Sequence, residues 1–432
     1  MHLVREAQRG RGRVGAGVLG FDPALLQAVA DRVGTPAYVY GANLIRAQFH
    51  ALDDALQGIP HRICYSVKAN GNLAVLGALR AVGAGADIVS VGELRRALRA
   101  GFDPDTIVFS GVGKTRAELE EAIAAGVGFL NIESVAELSA VIAAAQSSRN
   151  RPARVGIRVN PDVATDTHPY TKTGDKSAKF GVPFDEVVNV ARRLAAESSV
   201  MLRGLAMHLG SQLHDVEPYR RGTVKLLELV AAIRASGIPT IEALDVGGGL
   251  GVRYHNETAP SPRDFAQVVV PPVKAAGLRL LCEPGRFLVA NAGVLLMRVL
   301  YRKHAGGKEY VIVDAGMSDF VRPSHYNAYH EIVPLKEQSG RPERTVNVVG
   351  PICESGDFLA LDRRLPLPEP GEVLALLGTG AYGFVMSSTY NQRPRPPEVM
   401  VDGDQYFVSR PRETFDDLVR GEIAEPTAWT RA

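Results

Sequence analysis

The sequence predicts an α/β plus all-β chain, a (β/α)8 barrel of the TIM type followed by a β-sandwich or β-barrel domain. Three observations carry that expectation. Between residues 60 and 290, eight short β-branched runs alternate with alanine-rich segments of helical spacing. Beyond 290 the helical spacing stops, and strand-like runs follow one another between Gly, Pro and charged turns. The length, 432 residues, is what two domains require.

Taken in order, residues 1–20 are expected to form a disordered basic extension. The stretch MHLVREAQRGRGRVGA is rich in Arg and Gly and lacks the apolar run of a secretory signal. The barrel is assigned to 21–290, with the strand AYVYG (37–41) able to pair with either domain. Its strand candidates are 62–68, 85–90, 107–111, 129–133, 154–160, 204–210, 244–248 and 279–285. Between them LAVLGALRAVG, GELRRALRAG and RAELEEAIAAG repeat apolar residues at i, i+3, i+4. One connection, NPDVATDTHPYTKTGDKSAKFG (160–181), is too long and polar for a plain turn and reads as a functional loop. The C-terminal β domain, 291–432, has strands at VLLMRVLYRK, EYVIVDAG, TVNVVG, EVLALLG and DQYFVSR.

Composition narrows the function. With 49 basic and 47 acidic residues the net charge is +2, no electrostatic footprint for nucleic acid or an anionic membrane. At 46% hydrophobic residues the chain can bury large cores without disulfide or metal staples. Cys64, Cys282 and Cys353 are too few and scattered for a disulfide framework or a zinc site, which fits a reducing cytoplasm. No window is long and apolar enough to span a bilayer. A soluble, cytoplasmic, metal-free protein is expected.

Catalytic groups of such barrels collect at the C-terminal ends of the strands. A lysine at one strand end is ordinarily explained by solvation. Here the ends carry Lys68 in YSVKANGN, Asp87 with Ser90, His208 with Gly210-Ser211-Gln212, Gly247-Gly248-Gly249, and Glu283-Pro284-Gly285-Arg286. Together they supply an amine, carboxylates, an imidazole, a guanidinium and a run of bare backbone amides. GGGLG (247–251) spells a dinucleotide-like glycine pattern, but GVRYHNETAPSP follows it where a helix would have to open. The glycines suit a phosphate monoester instead. Gly113-Lys114-Thr115 imitates the end of a Walker A loop, but Val108 stands where its first glycine belongs. A phosphate cradle, a lysine, a carboxylate and a flat histidine on one rim match the needs of pyridoxal phosphate. A barrel enzyme acting on phosphorylated sugars would also use a cradle and a lysine.

The motifs YSVKAN, GADIVSVGEL, HLGSQ, DVGGGLG and EPGR, with CESGD and GAYGFVMSSTYNQRPRP in the second domain, make the resemblance specific. From about residue 20 to 415 the chain resembles the fold-type III decarboxylases that use pyridoxal phosphate, most closely their branch acting on diaminopimelate. The resemblance implies an alanine racemase-like fold. It implies that Lys68 holds pyridoxal 5′-phosphate as a Schiff base, that His208 stacks on the ring, that Glu283 pairs with its nitrogen and that Asp87 lies beside the lysine. Ser211, Gly247, Gly248, Gly249 and the backbone at Gly285 and Arg286 would hold the phosphate, with Tyr382 reaching it from the second domain. Cys353 would deliver the proton that replaces the lost carboxylate, from the partner subunit of a homodimer.

Arg286 and Arg322 match the family's receptors for the distal carboxylate of meso-2,6-diaminopimelate, with Tyr326 nearby and Glu354 for the distal ammonium. An arginine fork grips a carboxylate bidentately, and a substrate without one would leave such arginines unpaired. The expected reaction is decarboxylation to L-lysine and CO2, the last step of lysine synthesis. Decarboxylation of ornithine, lysine or arginine, racemisation, and a non-catalytic cofactor-binding homologue are the alternatives. The departures from the pattern, Val91 and His325 among them, remove no chemical group.

Overall fold

The computed structural model describes residues 20–148, 152–164, 179–336 and 340–424. The basic extension and most of the 160–181 loop lie outside the described residues. The chain divides into two compact units. One spans Gly41–Gly293 together with Gly380–Val385; the other comprises the residues up to Tyr40, Val294–Thr379 and the chain from Met386 onward.

Strand β1 (Ala37–Gly41) is followed by β2 (His61–Ser66), β3 (Gly85–Ile88), β4 (Ile107–Phe109), β5 (Phe129–Ile132) and β6 (Ala153–Asn160). Then come the short β7 (Val182–Pro183), β8 (Val200–Ala206), β9 (Ala243–Asp245) and β10 (Arg279–Cys282). Eight of these pair in the order β5-β4-β3-β2-β10-β9-β8-β6, and a further pairing of β5 with β6 closes the ring. Every one of these pairings is parallel, and β7 adds to β6 outside the ring. All eight expected barrel strands are present, two to three residues shorter at several C-terminal ends, where the rim turns begin.

Helices start where the sequence provides caps. Asn72 caps Leu73–Ala81, Ser90 caps Val91–Arg99, Ser134 caps Val135–Ser147, and Thr115 with Glu118 forms a capping box on Arg116–Ala125. The Thr of the Walker-like Gly-Lys-Thr is therefore a helix cap. Its Lys114 is buried, ion-paired to Glu137 at 2.8 Å and hydrogen-bonded to the Gly111 carbonyl at 2.6 Å.

The second unit is built on a mixed sheet of β11 (Gly293–Ala305), β12 (Lys308–Val313), β13 (Ile332–Pro334), β14 (Glu343–Val349), β15 (Phe358–Pro366), β16 (Val373–Leu377), β17 (Glu398–Asp402), β18 (Gln405–Arg410) and β1. Strand β1 lies between β11 and β17, which settles its pairing. Its tyrosines are tied down here: Tyr38 donates to the Asp319 carbonyl at 2.6 Å and Tyr40 to Glu398 Oε1 at 2.8 Å. The helix Pro23–Val33 falls in the same unit, whereas the sequence boundaries had put residues 21–36 with the barrel. No described helix is long and apolar enough to cross a membrane.

Inside the barrel, Cys64, Val108, Phe129, Ala243 and Leu281 form one buried cluster. Strand side chains alternate with period two, so the same inward face recurs two residues on. There it is polar: Ser66, Ser110, Asn131, Asp245 and Glu283, all buried. An apolar floor thus lies directly beneath a polar layer, and the polar layer is where the chemistry sits. Gly156 is part of the floor's packing, since a Cβ there would collide with the Phe129 ring and with Asn131 Oδ1. Gly156→Ala should therefore destabilise the protein by about 1–3 kcal/mol. Gly77→Ala, in a helix with open space around it, should instead stabilise by about 0.5–1 kcal/mol. Thermal unfolding of the two variants checks both signs.

Candidate active site

The stretch YSVKANGN does not carry its lysine on the strand. Strand β2 ends at Ser66, and Lys68 sits in a single 3-10 turn, Val67–Ala69. The asparagines fix that turn. The Asn70 N–H donates to the Val67 carbonyl at 3.0 Å, and Asn70 Oδ1 accepts the Asn72 N–H at 3.0 Å. Asn70 Nδ2 donates to the Gly380 carbonyl at 3.0 Å, while the Tyr382 N–H donates to the Ala69 carbonyl at 2.8 Å. Tyr382 consequently belongs to the barrel unit, not to the second domain from which it was expected to reach. Its φ of 55° is a left-handed conformation uncommon for a non-glycine residue, held by these two bonds.

Lys68 Nζ lies 3.3 Å from Asp87 Oδ2. The same oxygen accepts the Ser66 hydroxyl, and the Asp87 side chain is fully buried. Burial by itself would lower the Lys68 amine, but Asp87, with Tyr382 and Glu283 behind it, outweighs burial and raises it above the ordinary lysine value. The amine is therefore a protonated, carboxylate-anchored cation in this arrangement.

His208 follows β8, and its Nδ1 accepts the Gly248 N–H at 3.2 Å. Burial, then Lys68 and Arg158, pushes the imidazole well below its usual pKa, so the ring is neutral. The glycine run beside it has no room for side chains. A Cβ on Gly247 would strike the Met207 carbonyl, one on Gly248 the Glu283 carbonyl, and one on Gly249 the Gly210 carbonyl. Gly247 and Gly249 also have φ of 73° and 101°.

Glu283 follows β10 directly. Its N–H donates to the Gly247 carbonyl at 2.9 Å, yet no donor among the described residues reaches its buried Oε1. Burial raises its carboxyl well above the ordinary value, with Asp245 and Asp87 adding to the effect. Arg286 turns its guanidinium to the hydroxyls: Nη1 donates to Tyr254 Oη at 2.9 Å and Nη2 to Ser211 Oγ at 3.2 Å. It also stacks 4.7 Å from the Tyr382 ring centroid. The Gly285 backbone is wedged against the Ser66 and Ala69 Cβ atoms, so a side chain there would meet them at 2.9 and 3.0 Å. The barrel thus brings together Lys68, Asp87, His208, Ser211, Gly247–Gly249, Glu283, Gly285, Arg286 and Tyr382.

The second unit holds the other expected residues. Arg322 is buried at the start of the short helix Arg322–Tyr326, its Nε 3.4 Å from His330 Nε2 and its guanidinium 5.6 Å from the Tyr326 ring centroid. Ser324 of that helix donates to the Gly356 carbonyl at 2.7 Å, tying it to the CESGD turn. In the turn, Asp357 accepts the Met317 and Ile352 N–H groups at 2.6 Å each, and the Cys353 N–H donates to Asn391 Oδ1 at 2.9 Å. Cys353 is an exposed free thiol, and Glu354 beside it is exposed as well.

Sequence reasoning passed over five barrel residues. Asp245 accepts the Gly247 N–H at 2.8 Å, and Tyr254 and Ser66 hold Arg286 and Asp87 as described. Arg158 is ion-paired with the buried Glu133 at 2.8 Å, and Glu133 also accepts the Gly111 N–H at 2.6 Å. Asp245 was visible in DVGGG and Arg158 in GIRVN, each two residues past a floor position, and that spacing is the signal that would have found them.

These groups fit pyridoxal phosphate. Glu283 offers a buried oxygen that no described donor reaches, matched to a protonated ring nitrogen; the glycines expose backbone where a phosphate needs it; and an amine stands beside them. Fold and site together define a pyridoxal-phosphate-dependent barrel enzyme of fold-type III. The model of the family "Pyridoxal-dependent decarboxylase, pyridoxal binding domain" matches residues 42–290. The chain is 48% identical over 401 residues to the diaminopimelate decarboxylase of Pseudomonas aeruginosa, covering 93% of this chain and 96% of the other. It is 44% identical over 403 residues to that of Vibrio cholerae, covering 93% and 96%. A crystal structure of the Helicobacter pylori diaminopimelate decarboxylase complexed with L-lysine superposes with a TM-score of 0.88 at 40% identity, covering 91% of this chain and 98% of the other. The chain belongs to the diaminopimelate decarboxylase family, and its cofactor is pyridoxal 5′-phosphate.

Glu93 lies close enough to Lys68 and Asp87 for their charges to shift it. Burial pushes its carboxyl up to about 7, Asp87 adding, against the pull of the Val89 N–H, Lys68 and Arg96. The folded protein then binds this proton where the unfolded chain, near 4.5, has released it. The stability it contributes is full below about 4.5 and lost as pH rises through about 7. Urea midpoints of wild type against Glu93→Gln between pH 5 and 8 should show this decline in the wild type and a flatter profile in the variant.

Proposed function

We propose that the protein decarboxylates meso-2,6-diaminopimelate to L-lysine and CO2 in the cytoplasm, as the final step of lysine synthesis. The observation that carries the proposal is the pairing of two things. The barrel sets an anchored amine beside a glycine cradle and an unsatisfied buried carboxyl, and the sequence is 41–48% identical to diaminopimelate decarboxylases over nine-tenths of its length.

Lys68 is the residue to carry the cofactor through its amine, with Asp87 fixing that amine's position. The neutral His208 ring offers a flat, uncharged face for the cofactor ring. Glu283 receives the ring nitrogen, and Gly247, Gly248, Gly249, Ser211, Gly285 and Tyr382 receive the phosphate. Arg286 reaches Ser211, so it stands beside the phosphate group of residues and can also offer its fork to a carboxylate. When bound, the cofactor supplies a conjugated, protonated ring that takes up the electron pair left as the Cα–carboxylate bond breaks.

The residues of the second unit then decide what reacts and how it ends. Arg322 grips the distal carboxylate, Glu354 the distal ammonium, and Tyr326 the space between them. Cys353 Sγ–H gives the proton that replaces CO2 on the carbon, so that bond breaking and proton delivery balance. We assign Cys353 and Glu354 to the active site of a partner subunit, which makes a homodimer the working form. Their support is that both are exposed on the single chain while the CESGD turn is tightly braced by Asp357.

Purified protein with pyridoxal phosphate should release CO2 and lysine in equal amounts from meso-diaminopimelate, and little from ornithine, lysine or arginine. Turnover of one of those amines in its place would overturn the substrate assignment. Release from none of them would overturn the enzymatic reading. Cys353→Ala should lower kcat by about 100-fold or more with KM little changed.

A further inference from the structure

Asp245 ends β9, and Glu283 directly follows the neighbouring β10. β9 and β10 pair in register with Leu281 opposite Asp245, and the Gly247 carbonyl accepts the Glu283 N–H at 2.9 Å. Asp245 Oδ1 accepts the Gly247 N–H at 2.8 Å, which leaves its Oδ2 buried and without a donor among the described residues, as Glu283 Oε1 is. Both carboxyl groups are buried on this one seam of the barrel, close enough for the charge of Asp245 to raise the Glu283 carboxyl. Two neighbouring buried carboxyls that share no donor cannot both ionise cheaply, and one proton between them relieves the repulsion.

We propose that Asp245 is a positioning residue for the cofactor's ring nitrogen, sharing one proton with Glu283 and releasing it to that nitrogen when the ring docks. The inference rests on the cofactor placement given under the proposed function. The proton balance is closed: the shared proton leaves the carboxyl pair, the ring nitrogen gains it as N–H, and that N–H donates back to Glu283. Both carboxyls are then ionised around one cation, and solvent need supply no proton. Asp245 acts through Glu283 and touches neither substrate nor the breaking bond.

The surroundings favour a single stored proton. Asp87 on β3 repels a second negative charge in the pair, whereas Lys68 beyond β2 and Arg158 on β6 draw the pair toward ionisation. His208 beyond β8 is neutral, and the buried Cys64 and Cys282 thiols are pushed up by burial and by the pair itself, so neither adds charge. Burial raises Asp245 to about 6 and lifts Glu283 well above its ordinary value, so the pair keeps a proton at pH values where free carboxyls have lost theirs.

The test is the holoenzyme loaded with ring-15N pyridoxal phosphate, its nitrogen shift followed by NMR against pH. Wild type, Asp245→Asn and Glu283→Gln are compared. The side-chain amide introduced by Asp245→Asn keeps an oxygen for the Gly247 N–H and so keeps the loop, but it carries no charge. The wild-type nitrogen should stay protonated across pH 6–9, with the midpoint falling by about one unit or more in Asp245→Asn and cofactor affinity weakening about tenfold. An unchanged nitrogen shift in Asp245→Asn alongside a changed one in Glu283→Gln would make Asp245 a loop cap and overturn the proposal. An unchanged shift in both variants would instead overturn the placement of the ring at Glu283, and the proposal with it.

Discussion

Three buried carboxyl groups, Asp87, Asp245 and Glu283, converge on the polar layer of the barrel, and each has an oxygen that no hydrogen-bond donor among the described residues reaches. Buried carboxylates without compensation are costly, and a fold retains them only where something else supplies the charge or the proton. Lys68 compensates Asp87 and Arg158 is already committed to Glu133, which leaves Glu283 with its oxygen unmet. The rest of the site follows from this imbalance. Asp87 keeps the lysine protonated, burial keeps Glu283 above its ordinary pKa, and the unmet oxygen is what supports the proposal that a cationic ring nitrogen pairs there.

The barrel meets the demand by layering. Strand periodicity places an apolar floor and a polar layer two residues apart on the same inward faces. Close packing of Gly156 against Phe129 and Asn131 fixes the spacing of the two layers. Above them the turns are held by backbone bonds, which tie Tyr382 to the Lys68 turn and the glycine run to the end of β10. Groups fixed on such a rim need little reorganisation when a substrate arrives, which is how a rigid scaffold lowers a barrier. The second unit repeats the strategy with other parts, using Asp357 to brace the turn that carries Cys353 and Ser324 to tie it to the Arg322 helix.

Much of this was legible in the sequence because barrel strands are short, β-branched and regularly spaced, and because their polar ends come in recognisable clusters. The eight strands, the lysine, the histidine, the glycine run and Glu283 were all read from residues alone. What escaped has physical causes. Strand β15, FLALDRRLP, carries charges on an exposed face, so its alternation is masked, and β17 begins at a buried Glu398 that pairs with Tyr40 and Arg410. Tyr382 joins the barrel through two long-range bonds that no local pattern announces. Residues 21–36 look like the first helix of a barrel, yet β1 pairs across more than 250 residues with β11 and draws the segment into the mixed sheet. Asp245 and Arg158 hid in strands that read as ordinary, since a buried charge is informative only once its neighbours are known.

The amine of Lys68, set by Asp87 and the asparagine-braced turn, is the one proposed to carry the cofactor. Borohydride reduction of the holoenzyme followed by proteolysis and mass mapping tests it most directly. A single pyridoxyl-modified peptide containing YSVKANGN is expected, with the added mass on Lys68. Modification of a different lysine, with Lys68 left free, would contradict it.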